Sequence, residues 1–162
     1  MHAEQKAFLE DRFAAREWHG RSDSGRRIVK EFHFAGSELE GWKLLRTKET
    51  EEGANKVLRS LWSRGDNTDK LLSIDVFLSP SVKSAHETLL EALSNTQSGR
   101  VERRTDKNTV GDVAFGLANT MIMFARANLV LVIRNAGPTV VPVGGIGREL
   151  DKRIQRRLLE SE

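Results

Sequence analysis

Apolar positions recur along the chain first at helical spacing, then at strand spacing, then at helical spacing again. Over residues 3–18, Ala7, Phe8, Leu9, Phe13, Ala14 and Trp18 form an apolar face against Glu4, Glu10, Asp11, Arg12, Arg16 and Glu17, which predicts a polar N-terminal helix. A Gly/Ser/Asp stretch from Gly20 to Gly25 reads as a loop. Ile28, Phe32 and Phe34 then suggest a strand, with a turn around Gly36 and a second, weaker strand over 42–50. Apolar runs at 57–62 and 71–78 flank the polar run 64–69, the signature of an antiparallel hairpin. In the second run Leu72, Ile74, Val76 and Leu78 share one face, and Ser73, Asp75 and Phe77 the other.

Ser79-Pro80 predicts the start of a middle helix, because a Ser side chain accepts from free first-turn N–H groups and Pro loses no needed donor there. Its buried stripe is Val82, Ala85, Leu89, Ala92 and Leu93, and its end falls near Ser94 or Asn95. Further on, 121–124 and 129–133 are continuous apolar runs of strand length, which suggests central strands covered on both faces, or at least one very well covered face. Their short connection, Arg126-Ala127-Asn128, predicts a hairpin pairing 121–125 with 129–134. Asn128 tolerates the left-handed conformation that a tight turn often requires. Gly137, Pro138, Pro142, Gly144 and Gly145 punctuate the chain before a final helix striped by Ile146, Leu150, Ile154 and Leu158. Phe115, Ile122, Phe124, Leu131, Ile133, Leu150 and Ile154 are expected in one core. The pattern predicts an α+β fold, an antiparallel β-sheet packed against N-terminal, middle and C-terminal helices. Residues 1–25 form an N-terminal helix and loop, and 26–162 a single α+β domain.

Composition narrows the chemistry. The chain has 162 residues, 38% hydrophobic and 30% charged, a globular balance with enough length for a core. A formal charge of +3 permits anionic partners without arguing for them, and nucleic acid is not expected. With no cysteine, disulfides, thiolate catalysis and thiolate metal sites are excluded. No apolar run reaches the roughly 18 residues of a membrane span. Residues 1–13 lack the basic and apolar regions of a signal peptide, which leaves open a cytoplasmic protein or an exported one with its leader removed.

Candidate site residues are few. None of the four histidines, His2, His19, His33 and His86, pairs at the spacing of a metal site, and His86-Glu87 lacks the second His of a zinc-protease helix. Gly144-Gly145-Ile146-Gly147 fits neither a dinucleotide fingerprint nor a phosphate loop and reads as a connector. Arg64-Gly65-Asp66 is explained as a hairpin tip. Asp112 is better placed to satisfy loop N–H groups than to act as an acid or base. Arg148, Lys152, Arg153, Arg156 and Arg157 form the strongest charge cluster, with Arg100, Arg103 and Arg104 able to extend it. A solvated helix face is the simpler account of that cluster, and an anion-binding surface the alternative. No cofactor and no metal site is expected.

The run of elements from 71 to 154 carries a resemblance. The strand at 71–78, Ser79-Pro80, Gly111-Asp112-Val113-Ala114-Phe115, the 124–130 segment Phe-Ala-Arg-Ala-Asn-Leu-Val and Glu149-Leu150-Asp151 resemble small bacterial domains, often exported, without an assigned activity. The plan is also similar to PsbP-like α/β sandwiches, in which helices back an antiparallel sheet. The resemblance implies a fold and transfers no catalytic residue. The function expected from all this is a non-catalytic binding or interaction module for a protein or small ligand. The alternatives are an enzyme with a diffuse site built from Asp75, His86, Asp112 and Arg126, or a weak binder of anionic partners through the final helix.

Overall fold

Alternation and continuous apolar runs resolve into one sheet in a computed structural model, which describes residues 1–18, 27–33, 39–96, 98–105 and 110–160. The strands are β1 (Trp42–Glu52), β2 (Asn55–Arg64), β3 (Asn67–Leu78), β4 (Glu102–Arg103), β5 (Val113–Leu117), β6 (Met121–Arg126) and β7 (Leu129–Asn135). Every pairing is antiparallel, in the order β1-β2-β3-β7-β6-β5-β4. Helices α1 (Ala3–Arg12) and α2 (Val82–Thr96) cover one face, and α3 (Gly144–Glu160) covers the other. The α+β class follows directly.

The strand period of two decides which residue meets which helix. Leu72, Ile74 and Val76 join Ile122, Phe124, Leu131 and Ile133 against Leu150 and Ile154 of α3. From the same central strands, Met121, Met123, Ala125, Val130 and Val132 point the other way, against Leu89, Leu90 and Leu93 of α2. The β6–β7 hairpin is therefore covered on both sides, the first of the two arrangements its unbroken apolar runs suggest. Phe115 departs from the single core expected for it. It lies on the α1/α2 face, edge-on to Phe13 at 5.2 Å.

Several local expectations are corrected. The N-terminal helix stops at Arg12, because Ala14 is left-handed (φ 52°), and a 3-10 turn at Ala15–Glu17 follows. That break turns Trp18 back so that its Nε1 donates to the Phe13 carbonyl (3.0 Å). Leu9, Phe13, Ala15 and Trp18 are buried, whereas Phe8, assigned to the apolar face, is 65% exposed. The N-terminal segment is thus docked by these residues rather than by the whole stripe.

Residues 27–33 form no strand. Val29, rather than Ile28, is buried beside Phe32, and its backbone is held by a side chain. Asn128 Oδ1 accepts from Val29 N (2.7 Å), and Asn128 Nδ2 donates to the carbonyls of Val29 (2.8 Å) and Ser79 (2.8 Å). One amide supplies the pair of bonds that a neighbouring strand would have made. Asn128 is not the left-handed residue of its turn; Ala127 is, at φ 52°. The loop 20–25, Phe34 and the turn at Gly36 lie outside the described residues.

The middle helix begins later than Ser79-Pro80 implies. Ser81 Oγ accepts from Ser84 N (3.0 Å) as its cap, while Ser79 Oγ donates to Asn55 Oδ1 (2.8 Å). His86 and Leu90 are buried with the expected stripe, and Ala92 is only half-buried. Gly144 to Gly147 are the first turn of α3 rather than a connector. The β2–β3 tip is just Gly65-Asp66, with Gly65 at φ +58°, so the strands run through most of the expected polar loop. The two-residue β4 has no counterpart in the sequence pattern.

Candidate functional site

On the α1/α2 side, α2 crosses the sheet and leaves a trough of about 900 Å³ along one flank. Its helical wall is the stripe Ser84, Thr88, Glu91 and Asn95, at spacings of three and four on the side away from the buried Leu89 and Leu93. The floor is built from the sheet, with Phe77, Met123 and Val132 as apolar ground. One end is closed where the β1–β2 turn is tied to the helix. Asn55 Nδ2 donates to Thr88 Oγ1 (2.9 Å) while Asn55 Oδ1 accepts from Ser79.

A line of alternating charge crosses this floor through four strands. Strand register sets Arg59 directly opposite Asp75, and Asp75 opposite Val132. Arg134, two residues along β7, is the diagonal neighbour. Arg134 Nη2 lies 3.3 Å and Arg59 Nε 3.9 Å from the same oxygen, Asp75 Oδ2. Arg59 is also held by Glu52 from β1 (Nη1 to Oε1, 2.8 Å), and its guanidinium lies 6.0 Å from the Phe77 ring centre.

Burial grades along this line. The Asp75 side chain is 9% exposed, against 39% for Arg59 and 51% for Arg134. Burial raises the Asp75 carboxyl above its ordinary range, opposed by Arg134 and Arg59 and reinforced by Glu52. The hydrogen bond to Glu52 raises Arg59 further, against its partial desolvation. The arrangement holds a carboxylate at the base of a cavity under two guanidiniums that solvent, or a ligand, can reach.

The four residues of a diffuse catalytic site are not brought together. Asp75 lies in the trough floor, and His86 is buried under α2 at the edge of Trp18 (5.5 Å). Asp112 and Arg126 meet at a third place, Arg126 Nη1 donating to Asp112 Oδ1 (3.4 Å). There Asp112 Oδ2 accepts from Ala127 N (2.8 Å), the loop-satisfying role expected of it. His33 lies 3.6 Å from Glu49, both exposed, and His19 is outside the described residues.

The basic residues of the final helix are also divided. Arg148, Lys152, Arg156 and Arg157 are exposed, and Arg153 is half-buried and donates to Glu149 (3.5 Å). Arg153, Arg156 and Arg157 line a cleft of about 150 Å³ with Phe32 and His33. Arg148 lies at the other end of α3, in a cleft of about 230 Å³ with Arg104, Gly144 and Gly145. Of the arginines that might extend the cluster, Arg104 does so only there.

Sequence reasoning singled out Asp75 but passed over Arg59, Arg134 and Glu52. A signal was present: Arg59 is the lone charge within the β2 run Val57 to Trp62, as Asp75 is within Leu71 to Leu78. A charge interrupting an apolar strand implies a covered face that needs it or tolerates it. The chain matches no family model and has no significant match among curated proteins or solved structures, so its function rests on this geometry.

Proposed function

We propose that the protein is a non-catalytic binding module whose ligand occupies the trough beside α2. The observation that carries this reading is a cavity of about 900 Å³ in which an apolar floor surrounds one desolvated carboxylate and two reachable guanidiniums. Ligand sites are typically concave and largely apolar, with a few convergent polar groups that fix orientation. Catalysis is the less supported reading. Asp75 is engaged by arginines rather than by a group that exchanges protons with it, and the other titratable candidates stand elsewhere in the fold.

The test is a fragment panel screened by heteronuclear NMR on the wild type and on Ala92→Trp. Ala92 lines the trough and is half-buried at the edge of the core under α2, so an indole there is placed to fill the space. Shifts clustering on Phe77, Thr88, Met123 and Arg134 and lost in Ala92→Trp are expected. Hits spread over the surface, or indifferent to Ala92→Trp, would refute the trough as the site.

A further inference from the structure

Resting on the reading of the trough as a ligand site, we propose that its occupant is an organic anion with an apolar body, whose head group displaces the Asp75 carboxylate from Arg59 and Arg134. Both guanidiniums approach one oxygen, Asp75 Oδ2, so two cationic donors already converge on a point where an anionic oxygen sits. The protein's own carboxylate there stands in for the ligand's.

The internal contacts are long enough to exchange. At 3.3 Å and 3.9 Å they are looser than the roughly 2.7–2.9 Å of a strong charge-assisted hydrogen bond. Arg59 keeps its place without Asp75, because Glu52 Oε1 (2.8 Å) and Thr50 Oγ1 (3.4 Å) hold its other side. Arg134 is 51% exposed and presents unused N–H donors to the trough. An incoming anion therefore meets both arginines before it meets the buried carboxylate.

The apolar surface open to that body is Phe77, on the same face as Asp75 two residues along β3, with the nearly buried Met123 and Val132 beyond it. The α2 flank from Ser84 to Asn95 offers a length of about 16 Å at the helical rise, enough for a medium acyl chain.

Displacement has a proton consequence. The groups facing Asp75 are Glu52 on β1, Arg59 on β2 and Arg134 on β7; Glu87 and Glu91 of α2 and Lys6 of α1 line the same trough. Once an anion has taken the two arginines, burial and Glu52 favour the neutral acid, and Asp75 takes up a proton. Binding that takes up a proton weakens as pH rises through the range where Asp75 is ionised in the free protein but protonated in the complex.

The experiment is calorimetric and NMR titration of the full chain with decanesulfonate, whose charge does not change with pH, against decanol and decyltrimethylammonium. Decanesulfonate should bind at least about ten-fold tighter than either, as expected when hydrogen bonds to charged groups are added to apolar contact. Titration in two buffers of different ionisation enthalpy should show proton uptake with decanesulfonate alone. Arg134→Gln should weaken decanesulfonate about ten-fold and leave decanol unchanged. Asp75→Asn, which removes the internal competitor's charge, should tighten decanesulfonate several-fold and abolish the proton uptake. If Asp75→Asn does not fold, the buffer comparison on the wild type and the half-exposed Arg134→Gln decide the matter. Equal affinity for the three probes, preference for the ammonium, or weaker sulfonate binding in Asp75→Asn would overturn the inference. Trough shifts with decanol but no sulfonate preference sink the anion and keep the trough; no trough shifts with any probe sink both.

Discussion

Arg126 engages both carboxylate oxygens of Asp151, Nε to Oδ1 at 2.8 Å and Nη2 to Oδ2 at 2.9 Å, and so fastens the β6–β7 hairpin to α3. Asp112 (1% exposed) and Asp151 (7%) are buried carboxylates that share this one guanidinium. Asp151 Oδ2 also accepts from Gly111 N (2.9 Å) and Gln155 Nε2 (3.2 Å). The hydrogen bond to Asp151 raises the Arg126 pKa, against desolvation, so the cation is retained throughout the folded range. Gly111 completes the junction. At φ +68°, a Cβ there would run into the Ala125 carbonyl oxygen.

Arg126→Met should destabilise the protein by about 3–5 kcal/mol, because it removes the guanidinium that pairs with the buried carboxylates of Asp112 and Asp151. Arg126→Lys should recover only part of this, since an ammonium cannot reproduce the two-point geometry. Urea unfolding monitored by tryptophan fluorescence measures both; a loss under about 1 kcal/mol for the Met variant would show that the carboxylates find other partners or water.

Asn128→Ala should detach the 27–33 segment while leaving the hairpin intact. The change strands the Val29 N–H and C=O and the Ser79 C=O, at about 1–3 kcal/mol for each buried group left unpaired. Hydrogen exchange at the Val29 amide should speed up well ahead of exchange in β6 and β7. Wild-type protection at Val29 in the variant would contradict this.

Leu150→Ala and Ile154→Ala each remove a fully buried side chain from the core beneath α3. About 2–5 kcal/mol is expected for each, and the range reflects how far the site can collapse. A change below about 0.5 kcal/mol at both positions, the size of an ordinary surface effect, would mean that α3 is peripheral.

Asp75 should leave a pH signature on stability. Its folded carboxyl lies above the ordinary value of 3.8, so the folded state holds the proton more tightly than the unfolded state does. Below about that value Asp75 costs nothing. As pH rises from there through its raised folded pKa, its ionisation progressively lowers stability, and above that range the loss is constant. The stability of Asp75→Asn minus that of the wild type should therefore increase with pH across this window and then level off. Paired melts between acid and neutral pH measure it, and a difference that shrinks with rising pH would show that the arginines outweigh burial.

Elements whose partners are near in sequence were legible in the residue pattern. The β2–β3 and β6–β7 hairpins follow from two apolar runs around a short polar tip, because a short turn leaves adjacent strands few other ways to pair. The α3 stripe at Ile146, Leu150, Ile154 and Leu158 follows from the helical period alone, and all four pack on the core. Elements defined by distant partners were misread. The spacing of Ile28, Phe32 and Phe34 looks like a strand, yet the backbone at Val29 is satisfied by an amide 99 residues away. Asp151, set among the basic residues of the final helix, is a buried anchor because Arg126 reaches it across 25 residues.

By itself the sequence determined the α+β class, the hairpins, the buried stripes of α2 and α3, and the presence of lone charges in apolar strands. These depend on periodicity and on neighbours along the chain. Tertiary structure decided what those charges are for. The order β1-β2-β3-β7 brings Glu52, Arg59, Asp75 and Arg134 into one line, and the crossing of α2 opens a trough over it. Strand order and helix crossing arise from contacts between residues far apart in the chain, and no local period encodes them. The same reason separates Asp75, His86 and Asp112: a list of titratable residues carries no distances, and only the packed sheet and helices supply them.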